Sequence, residues 1–324
     1  MLPALELDGR LLTESDRILQ NLEEAFGPLG FELDSPDVWN LRRQERLLFR
    51  SWCQWLCSPG LSPRQEAQAQ DAFVRMAAVM EDSLMATPGP FLLEQFSSAD
   101  VVTIPYLERM GASLAYYKGF LLREQFPAIN RWFDALEQRP TYRGTQSDFH
   151  THAHDLPPQM GGCQANGSDA QRILARRIDH GPWPITSPGG LDPETSQPEP
   201  AAAASDALGR VLQHRTVLME RNPLPRTIFE PALRSALSVL MGEDPGQLPS
   251  GSAPGLRYLR DRISVPRDMS LHAARKLRQA LEVTASLDPS GPTVQGPEIP
   301  AAHRRDQDPQ PFLKARLARE GQSA

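Results

Sequence analysis

The sequence predicts a mainly α protein with a small α/β portion at its N-terminus. Three observations carry that reading. Apolar residues recur at helical spacing through residues 35–148 and again through 207–287. Helix-start signals stand ahead of the first runs, at Ser35-Pro36, Ser62-Pro63 and Ser97…Asp100. Strand-like alternation is confined to residues 1–12, where it runs into Asp8-Gly9.

Taken in order, residues 1–12 read as two short strands joined by a tight turn at Asp8-Gly9. Thr13-Glu14-Ser15 then opens a helix with Ile18, Leu22, Ala25 and Phe26 on its apolar side, ending near Gly27-Pro28. A hairpin and one helix are too little to be stable alone, so they imply a larger sheet. From Ser35, Leu41, Leu48, Trp52 and Trp55 form a long apolar stripe. Cys53 and Cys57 sit one turn apart on it without histidines or a second cysteine pair at ligand spacing, which favours buried free thiols over a metal. After Ser62-Pro63 the next stripe is Ala69, Phe73, Met76 and Met80.

The organising stretch is Phe96-Ser97-Ser98-Ala99-Asp100 through Arg109. Ser97 and Asp100 stand at capping-box spacing, with the shorter Asp where Glu or Gln is usual. Ala99, Val102, Tyr106 and Met110 fall on one helical face, and Pro105 removes an N–H in mid-run, so a kink is expected there. A further helix carries Ile129, Trp132, Phe133 and Leu136 and stops at Arg139-Pro140.

Composition bounds the function. The formal net charge of −6 disfavours nucleic acid and anionic membranes as partners. No apolar run reaches the length of a membrane span, and the N-terminus has no secretory pattern. Three cysteines form no disulfide framework, which points to reduced thiols and a cytoplasmic location. Of 31 prolines, 10 lie in residues 1–150 and 21 beyond, so the second half must hold more loop, with the main boundary near residue 148.

The Phe-Ser-x-Ala-Asp opening and its proline-containing helix resemble the core helix of the glutathione S-transferase C-terminal domain. Gly89-Pro90-Phe91-Leu92-Leu93 upstream and Phe126-Pro127-Ala128-Ile129-Asn130-Arg131-Trp132 downstream agree with it. The resemblance covers roughly the first 145 residues. It implies that Ser97 and Asp100 are folding elements. It also implies a partial thioredoxin-like α/β lobe over residues 1–28, followed by an all-helical transferase domain over 29–148. Carried over, Pro3 is the cis-proline of that lobe, and the Leu2 backbone pairs with the cysteinyl part of glutathione. Glu14 and Ser15 hold the γ-glutamyl end, which suits free N–H groups at a helix start, although the same residues also serve as an ordinary cap. Tyr106 and Arg109, with Tyr116 and Tyr117 beyond, lie where the family binds its electrophilic co-substrate, while tyrosines at helical spacing are also common in cores.

The resemblance leaves the catalytic residue unassigned. The family's thiol-activating residue precedes the cis-proline, and here only two residues do. The expectation is that Met1 is an internal methionine of a longer chain; the alternative is a natural short form. The expected activity is conjugation or reduction of an electrophilic small molecule with glutathione, in a homodimer and with no metal. The competing reading is a non-catalytic scaffold or interaction module.

Residues 149–206 read as a Pro/Gly-rich connection, flexible over 184–206. His150, His152, His154 and Asp155 could converge on a metal from an extended strand, but the run into Leu156-Pro157-Pro158 favours a surface or packing role. Residues 207–287 read as a helical extension rich in Arg257, Arg260, Arg262, Arg267, Arg275 and Arg278. Those arginines fit either internal acidic partners or a docking surface. Residues 288–324 read as a disordered tail.

Overall fold

The computed structural model describes residues 4–187 and 189–290. Leu2 and Pro3, and the tail beyond Ser290, lie outside the described residues. The chain divides into two compact units, Met1–Met110 with Leu122–Ala135, and Gly111–Leu121 with Leu136–Ala324. The mainly α expectation holds: the described strands are β1 (Leu5–Leu7) and β2 (Arg10–Leu12), and the rest of the regular structure is helical.

In the first unit β1 and β2 pair antiparallel, Leu5 opposite Leu12 and Leu7 opposite Arg10. The turn between them needs positive φ at both central residues, which Asp8 (50°) and Gly9 (75°) supply. Helix α1 (Ser15–Phe26) follows, completing a ββα order.

Helix α2 (Pro36–Cys57) starts where Ser35 Oγ accepts from Val38 N–H, and α3 (Pro63–Met85) starts with a complete Ser62/Gln65 capping box. The two pack along each other. Leu48, Trp52, Trp55, Phe73 and Met80 are buried there, and the Trp55 indole N–H donates to Glu66 at 2.7 Å.

Helix α4 (Ser98–Lys118) belongs to the first unit up to Met110. Its start keeps the expected reach-back, the Ser97 N–H donating to Asp100 Oδ2 at 2.9 Å, and the Ser97 hydroxyl donates to the same oxygen at 3.1 Å. Asp100 Oδ1 accepts from Leu92 N–H and from the Trp132 indole. One fully buried carboxylate thus ties the loop before α4 to α6 (Pro127–Glu137). The buried face of this segment is Ala99, Thr103, Leu107 and Met110, whereas Val102 and Tyr106 are half-buried. Between α4 and α6 lies the short α5 (Leu122–Gln125). Glu81 caps α6 from a distance, accepting from Ala128 and Ile129 N–H at 2.6 and 2.8 Å.

The second unit holds α7 (Pro140–Arg143), α8 (Phe149–Met160), α9 (Asp169–His180), α10 (Ala203–Gln213), α11 (Arg215–Arg221), α12 (Arg226–Leu240), α13 (Ala253–Arg262) and α14 (Leu271–Ala285). Helix α14 is the centre of the extension. Small residues such as Ala273, Ala274, Ala280 and Ala285 let α10, α12 and α13 approach it closely, around Phe229, Leu233, Leu256, Leu277 and Leu281. A smaller cluster gathers Ala115, Leu121, Leu174, Ile178, Trp183 and Ile185. Gly119 is required where the chain leaves α4: at φ +69° its missing Cβ would meet Gln171 N at 2.5 Å.

One local reading is corrected here. The segment over 184–206 is not a free linker: Ile185, Ser187, Glu194 and Thr195 are buried, and Arg275 binds both Asp192 and Glu194. For the arginines, the reading with internal acidic partners holds. Arg278 is fully buried against Asp148, while Arg257 and Arg260 share Glu282. Of the others, Arg267 is exposed and pairs with its neighbour Asp268, and Arg262 lies over the Tyr258 ring. Burying a guanidinium costs desolvation, which direct pairing with a carboxylate offsets.

Candidate functional site

A cavity of about 380 Å³ opens in the first unit between the start of α1, the middle of α2 and α4. Ser15, Asp16, Ile18 and Leu19 line it from α1, and Arg42, Glu45 and Arg46 from α2. Val101, Val102, Pro105 and Tyr106 close it from α4. The helical phase of α4 explains this division, since the half-buried 102/106 row turns away from the 99/103/107/110 core row. A wider groove of about 1210 Å³ continues from it along α1 and α2, sharing Asp16, Arg42 and Arg46.

The charges inside are paired. Glu45 is buried and receives two hydrogen bonds of 2.6 Å from the Arg46 guanidinium. The same guanidinium lies 4.4 Å from the Tyr106 ring centre and 4.9 Å from that of Phe49, whose rings meet edge-on. The Glu45 hydrogen bond is the largest influence on Arg46 and lifts its pKa; burial opposes this and the Tyr106 hydroxyl adds to it. Arg46 is therefore a fixed cation with an aromatic backing. Arg42 reaches across to Asp16 at 2.5 Å.

Of the residues predicted from sequence, Ser15 and Tyr106 line the same cavity. Glu14 is exposed at the N-cap of α1, where its carbonyl accepts from Ile18 N–H but its side chain caps nothing. Arg109 folds onto its own helix and donates to the Pro105 carbonyl at 2.7 Å, and it is not among the lining residues. Tyr116 and Tyr117 belong to the second unit, with hydroxyls bound to Asp179 and to the Ala153 carbonyl. The residues missed are Arg42, Glu45 and Arg46. Their signal was a charged cluster, Arg42-Arg43-Gln44-Glu45-Arg46, set into an otherwise apolar stripe.

Activated nucleophiles are not found where shifts are resolved. Burial and the neighbouring Cys57 push the Cys53 thiol up to about 11, so it stays protonated at neutral pH. Burial also raises Tyr116 and Tyr117, and the carboxylate of Asp179 adds to the rise of both phenols. No described helix is long and apolar enough to cross a membrane.

Residues 63–135 match a family model described as the glutathione S-transferase C-terminal domain. The matched span runs from the start of α3 into α6 and includes Ser97, Asp100, Tyr106 and Trp132. No curated protein matches the chain. Among solved structures, the Leishmania protein TDR1, described as a unique trimeric glutathione transferase, is similar at 17% identity over 100% of this chain and 88% of its own. The TM-score of that pair is 0.40. The family-model match agrees with the resemblance first carried by the Phe96–Arg109 stretch: residues 63–135 are similar to the glutathione S-transferase C-terminal domain.

Proposed function

We propose that the chain binds glutathione in the α1/α2/α4 cavity and presents its thiol to an electrophilic small molecule. The observation that carries this reading is that Ser15, at the open start of a helix, shares one cavity with Arg46 and Tyr106. Two carboxylates and two guanidiniums line that space in pairs, Asp16 with Arg42 and Glu45 with Arg46. Glutathione carries one ammonium and two carboxylates, so it can exchange partners with such pairs without leaving a charge unmatched. The N–H groups at the start of α1 suit one of those carboxylates. The apolar wall of Val101, Val102 and Pro105 suits a hydrophobic co-substrate. In this reading Glu14 and the Leu2-Pro3 segment complete the peptide site, and the protein acts in the cytoplasm as a homodimer.

The protein's chemical contribution is to hold the thiolate at attack distance from the electrophilic atom. The new C–S bond forms as the leaving group departs with the bonding pair. Titration calorimetry with glutathione, followed by turnover of a generic aryl chloride, tests the reading. Arg46→Ala is expected to weaken glutathione roughly 10-fold, in line with a lost charge-assisted contact. Saturable binding with turnover supports a transferase. Failure to bind at millimolar glutathione favours the scaffold reading, to which the protonated Cys53 thiol also lends weight.

A further inference from the structure

The histidine run of residues 150–154 lies on α8, not on a strand, and this changes which residues meet. At i and i+4 His150 and His154 share one face, with ring centres 4.7 Å apart. Facing them from α9 is Asp179, whose Oδ1 is 2.7 Å from His154 Nε2. One ligand atom from each of His150, His154 and Asp179 lies within 4.8 Å of the others. We propose that these three side chains bind a divalent transition-metal ion, a site independent of the glutathione cavity.

The donor set fits such an ion. Two imidazoles and a carboxylate suit first-row divalent metals of intermediate softness. Ligands on one zinc ion lie about 2.0–2.1 Å from it, which puts them roughly 3.3 Å apart. To reach that value the His154–Asp179 pair, now 2.7 Å apart, must open, and separations nearer the 4.8 Å limit must shorten. His150 is buried, while the side chains of His154 and Asp179 are 36% and 25% exposed. The site thus has one buried inner ligand and two partly exposed outer ones.

The surroundings orient the set as metal sites require. The Tyr116 hydroxyl donates to Asp179 Oδ2 at 2.8 Å, which leaves Oδ1 turned to His154. Tyr116 also packs edge-on against the His154 ring. Asp261 Oδ1 lies 3.9 Å from His150 Nε2 and is itself held by Arg260, adding negative charge behind the inner ligand. A bound ion would join α8 to α9 directly.

The test uses the full chain, stripped of metal with a chelator and titrated with Zn²⁺ or Co²⁺ alone. One ion per chain is expected to bind saturably, with Co²⁺ giving visible ligand-field absorption that Zn²⁺ abolishes. His154→Gln, at a half-exposed position, is expected to lower affinity at least 10-fold. Tyr116→Phe keeps every ligand but loses the orienting hydrogen bond, and is expected to cost about 10-fold. Replacing Cys53 and Cys57 with serine is expected to change nothing. The proposal fails if binding is not saturable at one ion per chain, if neither His154→Gln nor Tyr116→Phe weakens it, or if the cysteine replacement removes it.

Discussion

Asp100 shows how much one side chain can hold. It accepts four hydrogen bonds, from Leu92 N–H, Ser97 N–H, the Ser97 hydroxyl and the Trp132 indole, and is fully buried. Asp100→Ala leaves those donors buried without an acceptor, so urea unfolding of the first unit should show a loss of roughly 3 kcal/mol or more. Asp100→Asn turns an amide toward donors and should cost nearly as much. Cys53 makes the opposite case. With its thiol at about 11, alkylation by iodoacetamide at pH 7.5 should be far slower than for free cysteine and should rise steeply only toward pH 11. A fast reaction at neutral pH would refute this. The tie between Asp100 and Ser97 was legible in the sequence as a cap spacing, and Cys53 as a free thiol, though it is half-buried rather than buried. The Glu45–Arg46 pair was not legible, since its meaning depends on Tyr106, far along the chain.

Helix α8 was misread for a physical reason. Pro157 and Pro158 looked like a terminator, yet the helix runs to Met160 and ends in the left-handed Gly161. Pro157 has no N–H for the Ala153 carbonyl, and the Tyr117 hydroxyl donates to that carbonyl instead, at 2.9 Å. Asp148 caps the other end, accepting from Thr151 N–H at 2.8 Å. The Tyr117 bond is not visible in a local window, since Tyr117 lies 36 residues from Ala153, whereas the Asp148 cap is local. Tyr117→Phe should therefore destabilise the last turn of α8 by about 1 kcal/mol, read as faster amide exchange there than in α9. Helix α6 depends in the same way on Glu81, and Glu81→Gln should speed exchange at Ala128 and Ile129 selectively. By contrast α2 and α3 were read correctly from the Ser-Pro pairs that start them, because their caps lie within a few residues.

Across the molecule the second unit should be the acid-sensitive part. Burial raises the Asp148 carboxyl, but the Arg278 charge and the Thr151 hydrogen bonds outweigh it and leave its pKa below the ordinary 3.8. Asp179 and Glu282 are likewise lowered against burial, by His154 and Tyr116 and by Arg257 and Arg260 respectively. Asp288, bound by Ser290 and by Gly251 and Ala253 N–H, is held at about 2. A lowered carboxylate contributes stability above its unfolded pKa and loses it as pH falls through the folded one. Glu194, raised by burial and by Asp148 and Asp192, works in the opposite direction and softens the loss. Thermal unfolding should thus show a Tm that is level from about pH 7 to 5 and falls below about pH 4, continuing toward 2. A Tm unchanged at pH 3 would contradict these pairings. Helical content was legible across both units, because periodicity survives without knowledge of partners. The use of the arginines as internal ties was not, because Arg278 and Asp148 are 130 residues apart.

That separation has an evolutionary consequence. Arg278 with Asp148, and Arg275 with Glu194, are buried at both ends, so losing either partner strands a charge inside the protein. Even Arg→Lys gives up the forked geometry that reaches two acceptors at once. Each pair can drift only as a unit. In an alignment of relatives that keep α14, these distant columns should change together, replaced jointly by apolar residues or retained jointly as ions.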